Sequence, residues 1–183
     1  MTESSAEHTV IMTEDEMNAA LDQLTDEIAG AHADDEAIYL LGILSRGRPL
    51  ADRIASRLEA KGITVKTGSL STTLYRDDLR TGKITPKLGS ETHFDFDVDG
   101  QCVVLVDDVL NSGRTIRAAL DEIMDYGRPA RIQLACLIDR GLREVPIQAD
   151  FLSRAIQTEA DERVQVQLQE IDGNDQVVLM KKG

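Results

Sequence analysis

The chain has 183 residues, a length that suits one domain with a single hydrophobic core. Tryptophan is absent and aromatic residues make up 3% of the sequence, so that core must consist mainly of aliphatic side chains and methionine. The 33 acidic and 20 basic residues give a formal net charge of −13, which repels nucleic acids and anionic membranes from most of the surface.

The cysteines, the histidines and the N-terminus argue against several classes of protein. Cys102 and Cys136 both lie in apolar runs, so we expect two buried free thiols rather than a disulfide, as in a reducing cytoplasm. The three histidines are scattered and lack the spacing of a zinc site. We find neither a basic N-terminal region nor an apolar stretch of about 18 residues, which argues against a signal peptide and a membrane span, and the expected location is cytoplasmic.

The first predicted elements are a short strand at residues 8–12 and a helix. Thr13 and Glu16 have the spacing of a capping box at the start of that helix. Apolar residues then recur at helical spacing, namely Met17, Leu21, Leu24 and Ile28. The continuous apolar run at residues 37–44 predicts a strand that is covered on both faces.

A second helix is expected to begin at Pro49 and to end at Gly62. The alternating pattern of residues 63–75 predicts a second strand of the main sheet. Between residues 76 and 99 the pattern is lost, which predicts a long loop that is partly a hairpin. Long loops in compact domains often cover an active site.

The second half of the chain continues the alternation of strands and helices. Strands are predicted at residues 102–106 and 131–138, with a helix between them. The inner face of that helix consists of Ile116, Ala119, Leu120, Ile123 and Met124. Residues 139–151 are irregular, and residues 164–180 predict a terminal hairpin that turns at residues 172–174. This order predicts an α/β fold with a parallel sheet and right-handed crossovers.

The most informative segment is Val103–Thr115, VVLVDDVLNSGRT, in which an apolar strand leads through a short loop into a helix. In an open α/β sheet, ligands bind beyond the carboxyl ends of the strands, where this loop lies. Backbone N–H groups at a helix N-terminus bind phosphate. Gly113 allows the backbone to approach closely, and the hydroxyls of Ser112 and Thr115 can donate further hydrogen bonds.

Two adjacent carboxylates, Asp107 and Asp108, stand between the strand and that loop. Such carboxylates can accept hydrogen bonds from ribose hydroxyls, directly or through a bound Mg²⁺ and its waters. Alone, the pair could simply end a strand, as in receiver-like domains, but the loop that follows favours a site for a phosphorylated sugar. A Walker A loop is excluded because no lysine follows the glycine at the required position.

The segment Val103–Thr115 resembles the signature with which class I phosphoribosyltransferases bind phosphoribosyl pyrophosphate (PRPP). Further segments resemble the PyrR family of uracil phosphoribosyltransferases and pyrimidine-operon regulators: LLGILSRGRPLADRI, LYRDDL, GRPARIQLACLIDRG and REVPIQADF. The resemblance extends from about Leu40 to the predicted C-terminal hairpin.

This resemblance implies an α/β fold of the class I phosphoribosyltransferase type, with residues 1–183 as one domain. A central parallel sheet flanked by helices would occupy approximately residues 37–140. Residues 1–12 and 141–183 would contribute a small hood, and a long flexible β-loop would cover the active site. Members of the family are dimers or higher oligomers, so a homo-oligomer is also expected.

The implied reaction joins uracil to PRPP with the help of Mg²⁺ and yields UMP and pyrophosphate. By similarity, Asp107 and Asp108 are catalytic, hold the ribose hydroxyls and contact Mg²⁺ indirectly, through waters and PRPP. The same segment implies further substrate-binding residues: Val109, Leu110, Asn111, Ser112, Gly113, Arg114 and Thr115. The last five of these would wrap the 5-phosphate.

The segment Ser45, Arg46 and Gly47 resembles the pyrophosphate loop of the family, where backbone amides and a catalytic Arg46 would meet the leaving group. Cations and N–H dipoles at that place would stabilise the charge that develops on pyrophosphate. Family loops of this kind often contain a strained or cis peptide, which fits the nearby Gly47. Arg76, also implied as catalytic, begins the long loop that closes over the site in relatives and excludes water, although a surface ion pair is the alternative.

Arg140 and Val164 complete the implied site. Arg140 would lie near the base and the pyrophosphate. Backbone groups near Val164 would contact the edge of the base, although Val164 is equally explained as a core residue of the hairpin. A purine base is a third possibility, in which Phe151 would stack on the base, but purine enzymes usually have a lysine where this chain has Arg140.

An RNA-binding regulator that senses UMP or UTP in the same pocket, with weak catalysis, is the main alternative to the enzyme. RNA-binding relatives offer Thr, Arg and His on the first helix, where this chain has Asp22, Gln23 and Asp26. Arg143 and Arg154 remain as candidate contacts to RNA. Because RNA affinity depends on cationic contacts to phosphate, the sequence favours the enzyme.

Overall fold

The computed structural model describes residues 8–72 and 91–181, and these residues form eight strands and four helices. In chain order the elements are β1 (His8–Met12), α1 (Glu14–Ala31), β2 (Ile38–Ile43), α2 (Gly47–Ala60), β3 (Val65–Leu70), β4 (Cys102–Leu110), α3 (Arg114–Met124), β5 (Arg131–Asp139), β6 (Phe151–Ala155), β7 (Glu162–Gln167), α4 (Gln169–Asp172) and β8 (Gln176–Lys181). Helix α1 begins with the predicted capping box, in which the side chains of Thr13 and Glu16 each accept a hydrogen bond from the other's backbone N–H.

A five-stranded parallel sheet forms the centre of the fold, in the strand order β3-β2-β4-β5-β6. Alternate residues of each strand face opposite sides of the sheet, and different helices cover the two sides. In β4, Val104 and Val106 belong to the core that contains α1 and α2, whereas Val103 and Leu105 belong to the core that contains α3. The predicted α/β architecture is confirmed, and the two covered faces explain the continuous apolar runs of β2 and β4.

The two ends of the described chain form a second, smaller sheet with the connecting helix α4, and we call this unit the hood. Strand β8 lies between β1 and β7 and pairs antiparallel with both. Met12, Val164 and Val166 of the hood are buried in the same core as α1 and α2. The hood is therefore fixed on one side of the main sheet. Residues 151–155, which were also expected to contribute to the hood, instead form the edge strand β6 of the main sheet.

Several boundaries differ from those predicted. Strand β4 continues through the two acidic residues to Leu110, because its pairing with β5 extends as far as Asp139. Helix α2 begins at Gly47, and Pro49 lies in its first turn, where no backbone N–H is required. Strand β3 ends at Leu70. The turn of the terminal hairpin contains α4, which the sequence pattern did not predict.

Strand β6 was not predicted: its first residue ends the segment interpreted as irregular, and no element was assigned to the residues that follow it. It is five residues long, lies at the edge of the sheet and pairs only with β5 among the described strands. Such a short strand carries too little alternation to be recognised. Both cysteines are free thiols, as predicted, although Cys102 is only partly buried. None of the helices in the described ranges is long and apolar enough to span a membrane.

Candidate active site

A cavity of about 340 Å³ opens at the carboxyl ends of β2, β4 and β5, beneath strand β7 of the hood. Most residues predicted from the sequence line it: Ser45, Arg46, Asp107, Asp108, Val109, Asn111, Thr115, Arg140 and Val164. They come from four separate segments of the chain, so the fold brings together residues that the sequence places up to about 120 positions apart. This position is the one expected for a ligand site in an open α/β sheet.

Near its C-terminal end, strand β4 holds two carboxylates against the backbone. Asp107 is 6% exposed, and its Oδ1 accepts a hydrogen bond from the N–H of Asp108 at 2.9 Å. Asp108 Oδ1 accepts in turn from the N–H of Val109 at 2.8 Å. These local bonds fix both side chains at the cavity wall. Burial raises the pKa of the neighbouring Cys136 thiol, and the carboxylates of Asp107 and Asp108 raise it further, so this thiol stays protonated.

Residues 111–115, which we call the phosphate loop, connect β4 to α3. Gly113 has a φ of 87° and immediately precedes the helix, so only glycine adopts this conformation without strain. A Cβ at Gly113 would also lie 2.7 Å from Val145 Cγ2. The carbonyl of Ser112 accepts hydrogen bonds from the N–H groups of Glu144 and Val145, at 2.9 and 3.2 Å. Residues 144–145 therefore support the loop from behind.

Not every residue of the predicted phosphate-binding segment faces the cavity. The side chain of Leu110 is 1% exposed and packs in the core beside α3, so only its backbone can border a ligand. Arg114 forms an ion pair with Glu144 on the surface. Ser112 Oγ accepts from the N–H of Arg114 at 3.2 Å, and this bond stabilises the first turn of α3.

Residues 45–47, which we call the pyrophosphate loop, connect β2 to α2. The peptide bond between Leu44 and Ser45 is cis, two residues before Gly47. The guanidinium of Arg46 is bound to the hood: Nε donates to the carbonyl of Val166 at 2.7 Å, and Nη2 donates to Asp172 at 2.8 Å. The sequence predicted that this guanidinium would meet the leaving group, and the contact with the hood was not foreseen.

Arg140 lies at the end of β5 and is 8% exposed. Its guanidinium donates to the hydroxyl of Thr158 at 3.0 Å and to the carbonyls of Glu159 and Glu162 at 3.2 and 2.8 Å. All three acceptors are neutral, so they satisfy its N–H groups without neutralising its charge. Arg140 thus brings a positive charge to the cavity and also fixes the segment that leads into β7.

Arg163 also lines the cavity, and the sequence did not predict it. It directly precedes Val164, so the predicted start of the last hairpin lay one residue beyond it. Its side chain is exposed, beside the buried Val164. The only available signal was a cationic residue next to a predicted backbone contact. Arg76 lies outside the described residues, and its predicted role stays a prediction.

The two candidate RNA contacts are engaged within the protein. Arg143 donates to the carbonyls of Ile147 and Asn111 at 2.6 and 2.8 Å and forms an ion pair with Asp139. Burial alone would raise the pKa of Asp139, but hydrogen bonds from Arg143 and from a backbone N–H lower it. Arg154 donates to the carbonyl of Ile11 at 2.6 Å and contacts a carboxylate of α1.

Comparison with known proteins agrees with this geometry. Residues 11–170 match the phosphoribosyl transferase domain family. The chain is 49% identical over 172 residues to the bifunctional protein PyrR of Chloroflexus aurantiacus, which covers 93% of this chain and 94% of that protein. It is 48% identical over 173 residues to the bifunctional protein PyrR of Thermus aquaticus, covering 94% of this chain and 95% of the relative.

Solved structures show the same fold at much lower identity. The hypoxanthine phosphoribosyltransferase of Trypanosoma cruzi has a TM-score of 0.68 at 16% identity, over 97% of this chain and 98% of the other. The HGPRT-ase of Leishmania tarentolae in complex with GMP has a TM-score of 0.70 at 18% identity, over 95% and 96%. Fold, cavity and sequence relatives together lead to one assignment. The chain belongs to the phosphoribosyltransferases and, among them, to the PyrR family.

Proposed function

We propose that this protein transfers ribose 5-phosphate from PRPP to uracil and releases UMP and pyrophosphate. The observation that carries the proposal is that one cavity joins the carboxylates of β4, the phosphate loop, the pyrophosphate loop and the start of β7. In this proposal the sugar, its 5-phosphate, the leaving group and the planar base each contact a different one of these four parts of the cavity. The PyrR relatives support uracil as the base.

The phosphate loop is suited to the 5-phosphate. Helix α3 has eleven residues, and the positive end of its dipole lies at Gly113 and Arg114. Backbone N–H groups at this end and the hydroxyl of Thr115 can donate to phosphate oxygens. The close packing of Gly113 against Val145 keeps the loop in the conformation that presents those donors.

Asp107 and Asp108 are suited to the ribose hydroxyls and to Mg²⁺. In the ranges 8–72 and 91–181, no three His, Cys, Asp or Glu side chains are grouped as a cage for a metal ion. Mg²⁺ fits this arrangement nonetheless, because it commonly binds through one or two carboxylates, waters and substrate phosphates. When bound with PRPP, Mg²⁺ would neutralise part of the charge that develops on pyrophosphate.

The chemistry breaks the bond between carbon 1 of the ribose and a pyrophosphate oxygen and forms a bond from that carbon to a ring nitrogen of uracil, which gives up its proton. In the transition state the ribose is positively charged and negative charge grows on pyrophosphate. Backbone amides of the pyrophosphate loop and the cations Arg140 and Arg163 can stabilise the growing negative charge. The carboxylates of Asp107 and Asp108 lie on the ribose side, where positive charge develops.

A purine substrate is less well supported. Phe151, the aromatic residue that would have stacked on a purine, is 6% exposed in the core next to α1, where its ring lies 6.4 Å from that of His32. It is absent from the cavity wall. Nothing in the described part of the wall supplies the aromatic contact on which the purine alternative depended.

Thermal denaturation with different ligands tests the proposed substrate. We expect UMP, or PRPP with Mg²⁺, to raise the Tm by several degrees at concentrations well above Kd, because a ligand that binds only the folded state stabilises it. GMP is expected to produce no comparable shift. A rise in Tm with GMP and none with UMP would favour the purine alternative. Failure to form UMP from uracil and PRPP in a direct assay would then rule out uracil as the substrate.

We further propose that catalysis, rather than RNA-dependent regulation, is the main activity. On the α1 surface, Asp22 pairs with Arg57 and Asp26 pairs with Lys61, so the few cations nearby are already neutralised. Arg143 and Arg154 are held by internal acceptors. Binding to RNA requires protein cations that can neutralise its phosphates and so release the counterions of the RNA, and this surface supplies few such cations.

Filter binding against a pyrimidine-leader RNA tests the second proposal. We expect at most weak, strongly salt-sensitive retention that UMP does not increase, with a Kd no tighter than the non-specific range of about 10⁻⁴ to 10⁻⁶ M. A shuffled RNA of equal length is the control. UMP-enhanced binding that discriminates between the two RNAs would show that regulation is retained.

A further inference from the structure

Arg46 connects two parts of the cavity that the chemistry must coordinate. It belongs to the pyrophosphate loop, yet its guanidinium reaches the carbonyl of Val166 and the carboxylate of Asp172 in the hood, at 2.7 and 2.8 Å. The exposed fractions of the Arg46 and Asp172 side chains are 26% and 18%. A charge-assisted hydrogen bond that is mostly shielded from water is stronger than an ion pair on an open surface. We call the contacts of Arg46 with Val166 and Asp172 the hood clamp.

Asp172 is a rigid acceptor rather than a mobile surface carboxylate. Its second oxygen, Oδ2, accepts from the N–H of Leu168 at 2.9 Å. Its own N–H donates to the carbonyl of Leu168 at 2.6 Å. Both bonds close the short turn around α4, so the carboxylate cannot follow Arg46 without opening this turn. Any displacement of Arg46 is therefore transmitted to the hood.

The hood clamp acts on the strand that borders the base. Val166 and Val164 lie two residues apart in β7, and Val164 lines the cavity. Arg46 holds Val166 through its carbonyl, while the peptide of Arg46 itself lies in the pyrophosphate loop. A single side chain thus spans from the place of the leaving group to the strand next to the base.

A second arginine, on the helix α2 that follows the pyrophosphate loop, provides a comparison. Arg53, two helical turns after Arg46, donates to Glu170 at 2.8 and 2.6 Å and to Asp175 at 3.0 and 2.8 Å. Hydrogen bonds from Arg53 lower the pKa of Glu170. This contact also attaches the hood to α2, but it touches neither the pyrophosphate loop nor β7. It stabilises the hood without connecting the two halves of the cavity.

We propose that the hood clamp couples the pyrophosphate loop to the base site, so that occupation of the loop by pyrophosphate or PRPP positions β7 for the base. Arg46 and Asp172 are in this sense positioning residues. The inference rests on the proposed function, because it assumes that the cavity takes a base at β7 and a pyrophosphate group at residues 45–47. It replaces direct contact between the Arg46 guanidinium and the leaving group with a structural role.

Arg46→Lys and Asp172→Asn are the variants that test the coupling, and Arg53→Lys is the matched control. Lysine keeps the positive charge but cannot donate to Val166 and Asp172 with the same fork geometry. We expect Arg46→Lys and Asp172→Asn to raise the KM for uracil about tenfold while kcat changes much less, a loss within the usual range of coupling between sites. The dissociation constant of UMP with and without Mg²⁺–pyrophosphate should become nearly equal in both variants, whereas Arg53→Lys keeps the wild-type ratio.

Hydrogen exchange of residues 162–167 gives a second readout that does not depend on uracil. We expect pyrophosphate to protect these amides in the wild type and in Arg53→Lys but not in Arg46→Lys. The coupling would be overturned if Arg46→Lys kept the wild-type ratio of UMP dissociation constants and the wild-type protection of these amides. It would also be overturned if Arg53→Lys lost both to the same extent as Arg46→Lys, because the hood clamp would then be only a stabilising contact. If the wild type makes no UMP, the proposed function fails, while the exchange experiment still decides whether the hood clamp couples the loop to β7.

Discussion

Asp108→Asn is expected to lower kcat/KM about 10²- to 10³-fold, the size of effect seen when a charge-stabilising group is removed from an active site. Asparagine has the same shape, and its Oδ1 can still accept the hydrogen bond from the N–H of Val109 that now measures 2.8 Å. The backbone of β4 should therefore be unchanged. What is lost is the negative charge that, in the proposed mechanism, would face the ribose and help to bind Mg²⁺ through its waters.

Steady-state kinetics with uracil, PRPP and Mg²⁺ measures this effect, and the Tm shows whether the variant is folded. Asp97→Asn is a matched control, because Asp97 Oδ1 also accepts from a nearby backbone N–H, that of Asp99, at 2.8 Å, but lies on the surface away from the cavity. The control should retain wild-type kinetics. Wild-type turnover in Asp108→Asn would remove this carboxylate from the mechanism and would call the orientation of the sugar into question.

The sequence was most informative where the site is built from one continuous segment. The carboxylates of Asp107 and Asp108 and the loop with Gly113 are adjacent along the chain, and local hydrogen bonds hold them in place. A strand that leads through a glycine into a helix has few alternative geometries. The geometry at the end of this strand could therefore be predicted without knowledge of the packing around it.

Contacts between distant segments could not be predicted in this way. Arg46 is separated from Asp172 by 126 positions, and no local pattern relates them. The side chain of Arg140 turns toward carbonyls of residues 159 and 162 because the hood lies there, a fact of tertiary packing. Family resemblance placed both arginines near the leaving group, but only the structure shows what their guanidinium groups contact.

Gly47→Ala is expected to lower activity about 100-fold and to lower the stability of the fold. A Cβ at this position would lie 2.2 Å from the carbonyl oxygen of Val106, in the strand that carries Asp107 and Asp108. Backbone atoms cannot turn aside as a flexible side chain can, so α2 or β4 must shift. Overpacking of this kind typically costs about 1–3 kcal/mol, which corresponds to a fall in Tm of about 2–12 °C in a domain of this size. The shift also moves the pyrophosphate loop relative to Asp107, and a displacement of about 1 Å in an active site can cost about 100-fold in rate.

Gly30→Ala provides the control for the loss of a glycine. Gly30 lies near the end of α1, and a Cβ there would meet nothing within 4 Å. Alanine should raise the stability by about 0.4–1 kcal/mol, because it restricts the unfolded chain and favours the helix. Thermal denaturation should thus show a lower Tm for Gly47→Ala and a higher Tm for Gly30→Ala than for the wild type. Activity should fall only in Gly47→Ala. If Gly47→Ala were active and as stable as the wild type, α2 and β4 could separate without consequence, and the pyrophosphate loop would not depend on backbone contact for its position.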